Sequence, residues 1–225
     1  MDITQITQII ALTMGVAWAS GINLYAAVFM LGLMASTGHI ELPPGLEILA
    51  DPLVLFAAGV MYLIEFFADK IPGVDNGWDT LHTFIRIPAG AILAAGAVGE
   101  VSPAATLAAG LVGGAVTATV HVAKAGGRVL VNTSPEPVSN WLVSLGEDLT
   151  VIAGLWTALH YPLAFLLALA LFLALVAWAL PRIWRGLGQL AHRIKGLFRP
   201  RPPAAAEPPA TQPPRPLAPP PRKLK

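Results

Sequence analysis

Pro162-Leu163-Ala164-Phe165-Leu166-Leu167-Ala168-Leu169-Ala170-Leu171-Phe172-Leu173-Ala174-Leu175-Val176-Ala177-Trp178-Ala179-Leu180 decides the fold class, because it holds no charged side chain from end to end. As a helix it would be about 28 Å long, close to the roughly 30 Å hydrocarbon thickness of a bilayer. Five more apolar segments lie upstream, at about 6–37, 52–68, 77–99, 103–125 and 139–160. The expected fold is therefore all-α, a transmembrane bundle of about six spans. The first segment is longer than one untilted span needs. Its centre, Ser20-Gly21-Ile22-Asn23, is a candidate break between two half-helices.

Composition agrees. Of the 225 residues, 55% are hydrophobic and 12% charged, about half the charge of an ordinary soluble domain. There is no cysteine, which removes disulfides and thiolate chemistry from consideration. No basic residue precedes the first apolar run, so that run is read as a retained span and not as a secretory signal. Ten of the 14 Lys and Arg residues lie at or after Arg182. With the C-terminus in the cytoplasm and six spans threaded back from it, Lys70, Lys124 and Arg128 fall on the inner side. The outer connections then hold Glu41, Glu47, Asp51 and Glu100 and no basic residue. This threading brings both termini into the cytoplasm.

Three regions follow. Residues 1–181 form the transmembrane helical domain, 182–199 a basic amphipathic juxtamembrane segment suited to an anionic leaflet, and 200–225 a cytoplasmic tail. Eleven of the last 26 residues are proline, a composition expected to be extended and disordered. Spans two and three, around Pro72 and Trp78, and spans four and five, around Pro135 and Trp141, suggest a parallel internal hairpin repeat.

The chemistry concentrates in polar stripes. Ionisable groups within spans are costly, by about 2.5–3.5 kcal/mol at the centre on insertion scales, and so call for an explanation. Glu65 and Asp69 are four apart at the end of span two; Asp75, Asp79, His82 and Arg86 follow at helical spacing in span three. Thr117, His121, Lys124 and Arg128 form the same pattern in span four, and Asn140, Ser144, Glu147 and Asp148 continue it in span five. If the four faces converge, they build a charged cavity open to the cytoplasm. Asp75 is also read as the N-cap of span three, and Ser134-Pro135-Glu136 as the start of span five. A kink is expected beside Arg86, at Pro88. The plainer reading is that these charges cap helices, snorkel to the interface or pair only to hold the bundle together. Gly110 and Gly113–Gly114 allow close helix approach, within the fold first and in a homo-oligomer second.

Nucleotide-binding, zinc-protease and nucleophile-elbow motifs are missing from the sequence. No cofactor is called for, no nucleic-acid partner is expected, and metal binding by Asp79 and His82 with Glu65 or Glu147 is permitted without being required. Asn132-Thr133-Ser134 matches a glycosylation sequon but falls on the inner side.

Trp18-Ala19-Ser20-Gly21-Ile22-Asn23-Leu24-Tyr25, the run Glu65–Asp75, the run His82–Gly90 and the run Asn132–Pro137 together resemble a bacterial integral-membrane family catalogued as domain of unknown function 4126. The resemblance covers about residues 10–180. It implies a protein of the bacterial inner membrane and brings no activity with it.

The residues themselves point to a small transporter or channel-like protein that binds a small polar or anionic solute within the lipid bilayer. Arg86, Lys124 and Arg128 would supply positive charge. Glu65, Asp79, Glu147 and Asp148 would balance it or relay protons, Asn23 would gate or coordinate, and Asp69, Asp75, His82 and His121 complete the candidate substrate- or ion-binding set. One rival is a membrane enzyme or lipid-phosphate handler with His82 or His121 as its acid–base group. Another is a scaffold that acts through its basic, Pro-rich tail.

Overall fold

A computed structural model describes residues 1–71, 73–131 and 137–197. Pro72, the sequon and proposed cap within 132–136, the Pro-rich tail, and the side chains of 186–199 on which the interfacial-helix reading rests all lie outside the described residues. Met1–Arg182 forms one compact unit and the residues from Ile183 a second.

Every long element is a helix, and no strand occurs among the described residues: α1 Ile3–Ser36, α2 Pro52–Ala68, α3 Val74–Ala97, α4 Pro103–Val131, α5 Pro137–His160 and α6 Pro162–Leu197. A short 3-10 helix, Pro44–Ala50, precedes α2 at a 69° bend and has no counterpart in the sequence reading. By length and apolarity α1, α4, α5 and α6 qualify as membrane spans, and the bent pair ending in α2 makes a fifth. α3, with His82, Arg86, Pro88 and three glycines along it, is less apolar and does not qualify. Proline opens α2, α4, α5 and α6, where its missing N–H costs nothing. Pro88 and Pro181 sit inside continuous helices, so the chain does not end a helix at either.

Asn23 has extended backbone angles, φ −146° and ψ 100°, inside α1. The break suggested by Ser20-Gly21-Ile22-Asn23 is therefore present, and it turns the chain back. The first arm, 3–22, runs antiparallel to α5: Gly15 meets Ala158, Trp18 covers Gly154, and Asn23 reaches Asp148. At its start, Ile6 and Ile10 line a groove with Val98, Val101 and Ala105, at the α3–α4 turn. The second arm, 24–36, runs antiparallel to α2: Phe29 lies on Gly59, and Gly32 meets Leu55 and the Leu49 carbonyl. Gly45 packs on Gly96, again at the α3–α4 turn. A straight α1 would carry Ser36 about 20 Å beyond Asn23 in the opposite direction, out of reach of that contact for a connection that spans at most ~3.6 Å per residue. Both ends of α1 thus share one end of the bundle, and its tip points toward the other.

This hairpin is the core. Every residue from 15 to 24 is buried, whereas α6 turns Leu163, Leu167, Leu171, Leu175 and Trp178 outward as an exposed stripe. A helix that is apolar all round must be wrapped by others, and α3, α4 and α5 wrap the first arm. Close approach needs small residues. A Cβ on Gly113 would sit 2.2 Å from that of Ala94, and one on Gly21 2.7 Å from the Thr117 carbonyl oxygen. Gly110, Gly113 and Gly114 therefore serve α3–α4 packing inside one chain.

The turn-back also changes where the termini sit. In α6, Phe165 packs on Trp18 near its start, and Leu173 and Ala177 share a groove with Val116 and Thr119 farther along. Ile3 and Arg182 accordingly lie at opposite ends of the bundle, in contrast to the even threading that brought both termini to one side.

Candidate functional site

The site begins with the orphaned backbone at the α1 break. Ending one helix and starting another leaves carbonyls and amides unpaired, and within a bilayer no water is at hand to satisfy them. Asn23 caps the second arm: its Oδ1 accepts the Ala26 amide at 2.9 Å. That bond turns its amide nitrogen outward, where Nδ2 donates to Asp148 Oδ1 at 3.1 Å. At the end of the first arm, Lys124 Nζ donates to the Ile22 carbonyl at 2.9 Å. The end of α2 is treated in the same way. Arg128 Nη1 donates to the Asp69 carbonyl at 2.9 Å, and Lys70 Nζ to the Phe66 carbonyl at 2.9 Å. Three cations thus close two helix ends, Lys124 at the first α1 arm and Arg128 with Lys70 at α2.

Two of these cations, Lys124 and Arg128, also pair with carboxylates, and Arg86 joins them. Arg86 Nη2 lies 2.5 Å from Glu65 Oε1, and its Nη1 lies 3.0 Å from Asp79 Oδ1. Lys124 Nζ has four carboxylates around it: Asp69 at 3.2 Å, Glu147 at 3.5 Å, Glu65 at 3.6 Å and Asp79 at 3.7 Å. Arg128 forks onto Glu147, with Nε at 3.1 Å from Oε1 and Nη2 at 2.5 Å from Oε2, and also meets Asp69 Oδ2 at 3.1 Å and Asn140 Oδ1 at 2.9 Å. Glu65, Arg86 and Arg128 are wholly buried, and only the Glu147 side chain, 18% exposed, marks a rim. The polar stripes of α2, α3, α4 and α5 therefore do meet. Among the described residues they meet as a packed network, with direct ion pairs where the sequence reading expects an open cavity.

The two histidines border this network without joining its ion pairs. His121 Nδ1 faces Arg86 Nη1 at 3.3 Å and must accept there, so its Nε2 carries the proton toward Thr83 Oγ1 at 2.7 Å. His82 Nδ1 donates to the Trp78 carbonyl at 2.9 Å, and its Nε2 lies 3.2 Å from the Tyr25 hydroxyl. Its ring stacks on Trp78 with centroids 4.2 Å apart. Among the described residues no group of three or more His, Asp or Glu side chains is arranged to hold a metal. Asp75 does not cap α3 as expected. The helix starts after Gly73, and Asp75, inside the first turn, accepts the Gly73 amide at 2.8 Å.

Tyr25, Tyr62 and Thr83 belong to this neighbourhood and escaped the sequence reading. Tyr25 and Tyr62 lie on apolar helices as lone polar tips, with no stripe to single them out. Thr83 lies one position from His82 on a helix whose charged residues draw the eye. A snorkelling Lys70, in the α2–α3 turn, would hold its ammonium in water. It is buried instead: its ammonium, 3.3 Å from Ser144 Oγ, has Phe66 beneath it, and desolvation pushes its pKa down.

Not all of the polar valence is used. Glu65 Oε2, Asp69 Oδ1, Asp79 Oδ2 and Asp148 Oδ2 are buried without a hydrogen-bond partner, as are Arg86 Nε, Asn140 Nδ2 and Trp78 Nε1. Four of these seven atoms are carboxylate oxygens, so the spare capacity of the cluster is chiefly for a donor or a positive charge. Among the described side chains around the ion pairs, Glu65, Asp69, Asp79, Glu147 and Asp148 stand against Lys70, Arg86, Lys124 and Arg128, an excess of one carboxylate; Asp75, buried in the first turn of α3, lies outside this count.

No curated protein and no solved structure matches this chain. A family model does match it, over residues 10–182, a stretch that contains the hairpin from Ile10 onward and the whole network. On that match the chain belongs to the family described as Domain of unknown function (DUF4126).

Proposed function

We propose that this protein is a small membrane transporter or channel-like protein whose working site is the tip of the α1 hairpin and the charge network around it. One observation carries the reading: an apolar helix breaks at Asn23 inside the bundle and delivers its broken end to a buried cluster of ion pairs. Broken helices with unwound backbone facing charged groups near the membrane middle are how many transporters build a solute site. A purely structural span would have no need of either feature, and each costs free energy in lipid.

In this reading α2 to α6 cross the bilayer, while α1 dips in and returns. Lys70, Arg128 and Arg182 lie at the tip end, and Glu41, Glu47, Asp51 and Glu100 at the other, which favours the tip end as the cytoplasmic one. Trp156, His160 and Tyr161 gather at the outer end and Trp178 with Arg182 at the inner end, as interfacial anchors do. The N-terminus is then outside and the C-terminal flank inside, in the inner membrane that the family resemblance implies. The described ion pairs of the network all form within a single chain.

The lipid-phosphate reading and an anionic solute fare worse on the same geometry. Arg86, Lys124 and Arg128 are already claimed by carboxylates, and an incoming phosphate would have to displace them.

The test is osmotic. Vesicles with reconstituted full-length protein are shocked with glycerol, glycine, potassium chloride or sodium phosphate, and their volume recovery is followed by light scattering. The wild type should speed recovery for at least one of these solutes over empty vesicles, and Arg86→Ala and Glu147→Gln should slow it. Recovery identical to that of empty vesicles for all four solutes, or unchanged in both variants, removes the proposal.

A further inference from the structure

We propose that Asp148 is a proton-binding carboxyl whose ionisation holds or frees the tip of the α1 hairpin. The inference names the coupling species for the site above and rests on that reading only for its meaning in transport; the binding itself stands on the geometry.

Asp148 differs from its neighbours. Glu65, Asp69, Asp79 and Glu147 each have an arginine or lysine nitrogen within 4.0 Å, and Asp148 has none among the described residues. It is 7% exposed, its Oδ1 is held by the neutral Asn23 amide, and its Oδ2 is buried with no partner at hydrogen-bond distance, the Tyr62 hydroxyl interacting with the carboxyl from α2. The groups that face it are Asn23 from α1, Tyr62 from α2, Asp69 and Lys70 from the α2–α3 turn and Lys124 from α4, with Ser144 and Glu147 on its own helix. Lys124 is shared among four other carboxylates and Lys70 is engaged with Ser144 and the Phe66 carbonyl, so neither forms a contact pair with Asp148. The excess negative charge of the network therefore resides here.

Two cations could neutralise it, a proton or a metal ion. A metal ion needs several oxygens converging on one point. Asn23 cannot supply one, because its carbonyl oxygen is occupied by the Ala26 amide and its NH2 group points at Asp148. A proton needs only the spare Oδ2. Arriving from water past the partly exposed Glu147, it bonds to Oδ2 and removes the charge. The protonated carboxyl is then a weaker acceptor for Asn23 Nδ2, so the hydrogen bond from the hairpin tip to Asp148 on α5 loosens. When the proton leaves, the bond is restored.

The experiment is infrared difference spectroscopy of the full-length protein in lipid vesicles, as pH is lowered in potassium buffer and again in sodium buffer. A carboxylic-acid carbonyl band should grow with falling pH in both buffers, disappear in Asp148→Asn and persist in Glu147→Gln. Lys70→Gln removes a nearby positive charge that favours the carboxylate, so in that variant the band should appear at higher pH. That shift keeps the proposal testable if Asp148→Asn does not fold. Loss of the band's dependence on Asp148, no movement in Lys70→Gln, or a spectral change driven by sodium in place of pH would each overturn it. The spectrum needs no flux. A silent swelling assay beside an Asp148-dependent band removes transport and keeps the site, and the reverse removes the site alone.

Discussion

Replacing Arg86 by methionine keeps most of the side-chain volume and removes one charge from the centre of the protein. In the wild type, Arg86 lies 2.5 Å from Glu65 and 3.0 Å from Asp79, with no exposed surface. Without it, Glu65 and Asp79 keep only Lys124, at 3.6 and 3.7 Å, and that ammonium already serves Asp69 and Glu147. Breaking a buried pair by removing one partner costs about 3–5 kcal/mol, because the partner left behind is a buried charge without compensation. Here two carboxylates are left, although Lys124 offsets part of the loss, so about 4 kcal/mol is the expected destabilisation. The assay is reversible unfolding of the detergent-solubilised protein by added denaturing detergent, read by tryptophan fluorescence. The double variant Glu65→Met with Arg86→Met removes both members of the closest pair and should recover at least half of the loss, since well-packed apolar pairs can replace buried ion pairs at little cost. A loss below about 1 kcal/mol for the single variant, or a double variant no better than the single, would mean that these charges are solvated and that the closed network is wrong.

Three further outcomes follow from the same geometry. Asn23→Ala removes the cap of the second α1 arm and the donor to Asp148. It should cost about 1–2 kcal/mol and speed hydrogen exchange at residues 24–27 relative to 10–20; uniform exchange across α1 would contradict a capped break. Gly113→Val forces a side chain into a space where even a Cβ sits 2.2 Å from Ala94; a loss of about 3 kcal/mol or failure to accumulate in the membrane is expected, while wild-type stability would show that α3 and α4 are not packed there. The natural chain has no cysteine, so single cysteines report its topology directly. Thr4→Cys and Gly38→Cys should be labelled by an impermeant reagent from one side of the membrane and Gly77→Cys from the other, and labelling of Thr4→Cys and Gly77→Cys from the same side would refute the hairpin.

The sequence alone determined that the chain is helical and apolar enough for a bilayer, because hydrophobic runs of span length and helical polar spacing are local properties. The limits of α2 at 52 and 68 were legible from Pro52 and the charges after Ala68. Arg86, Lys124, Arg128 and Glu147 declared themselves by the cost of placing charge in such runs, and Gly21 and Asn23 marked a weak point in α1. Which way the chain went after that weak point was not legible. A kinked, a tilted and a folded-back helix share one sequence pattern, and only packing against Gly96, Leu49 and Leu55 selects the last. Nor could spacing tell an open cavity from a closed network. That depended on how deeply Arg86 and Lys124 reach toward carboxylates on other helices, a distance fixed by the small-residue contacts that bring α3 and α4 together. Tertiary structure thus decided the direction of the first helix, the closure of the charge cluster and the isolation of Asp148, because each depends on groups that are far apart in the chain and only a few ångströms apart in space.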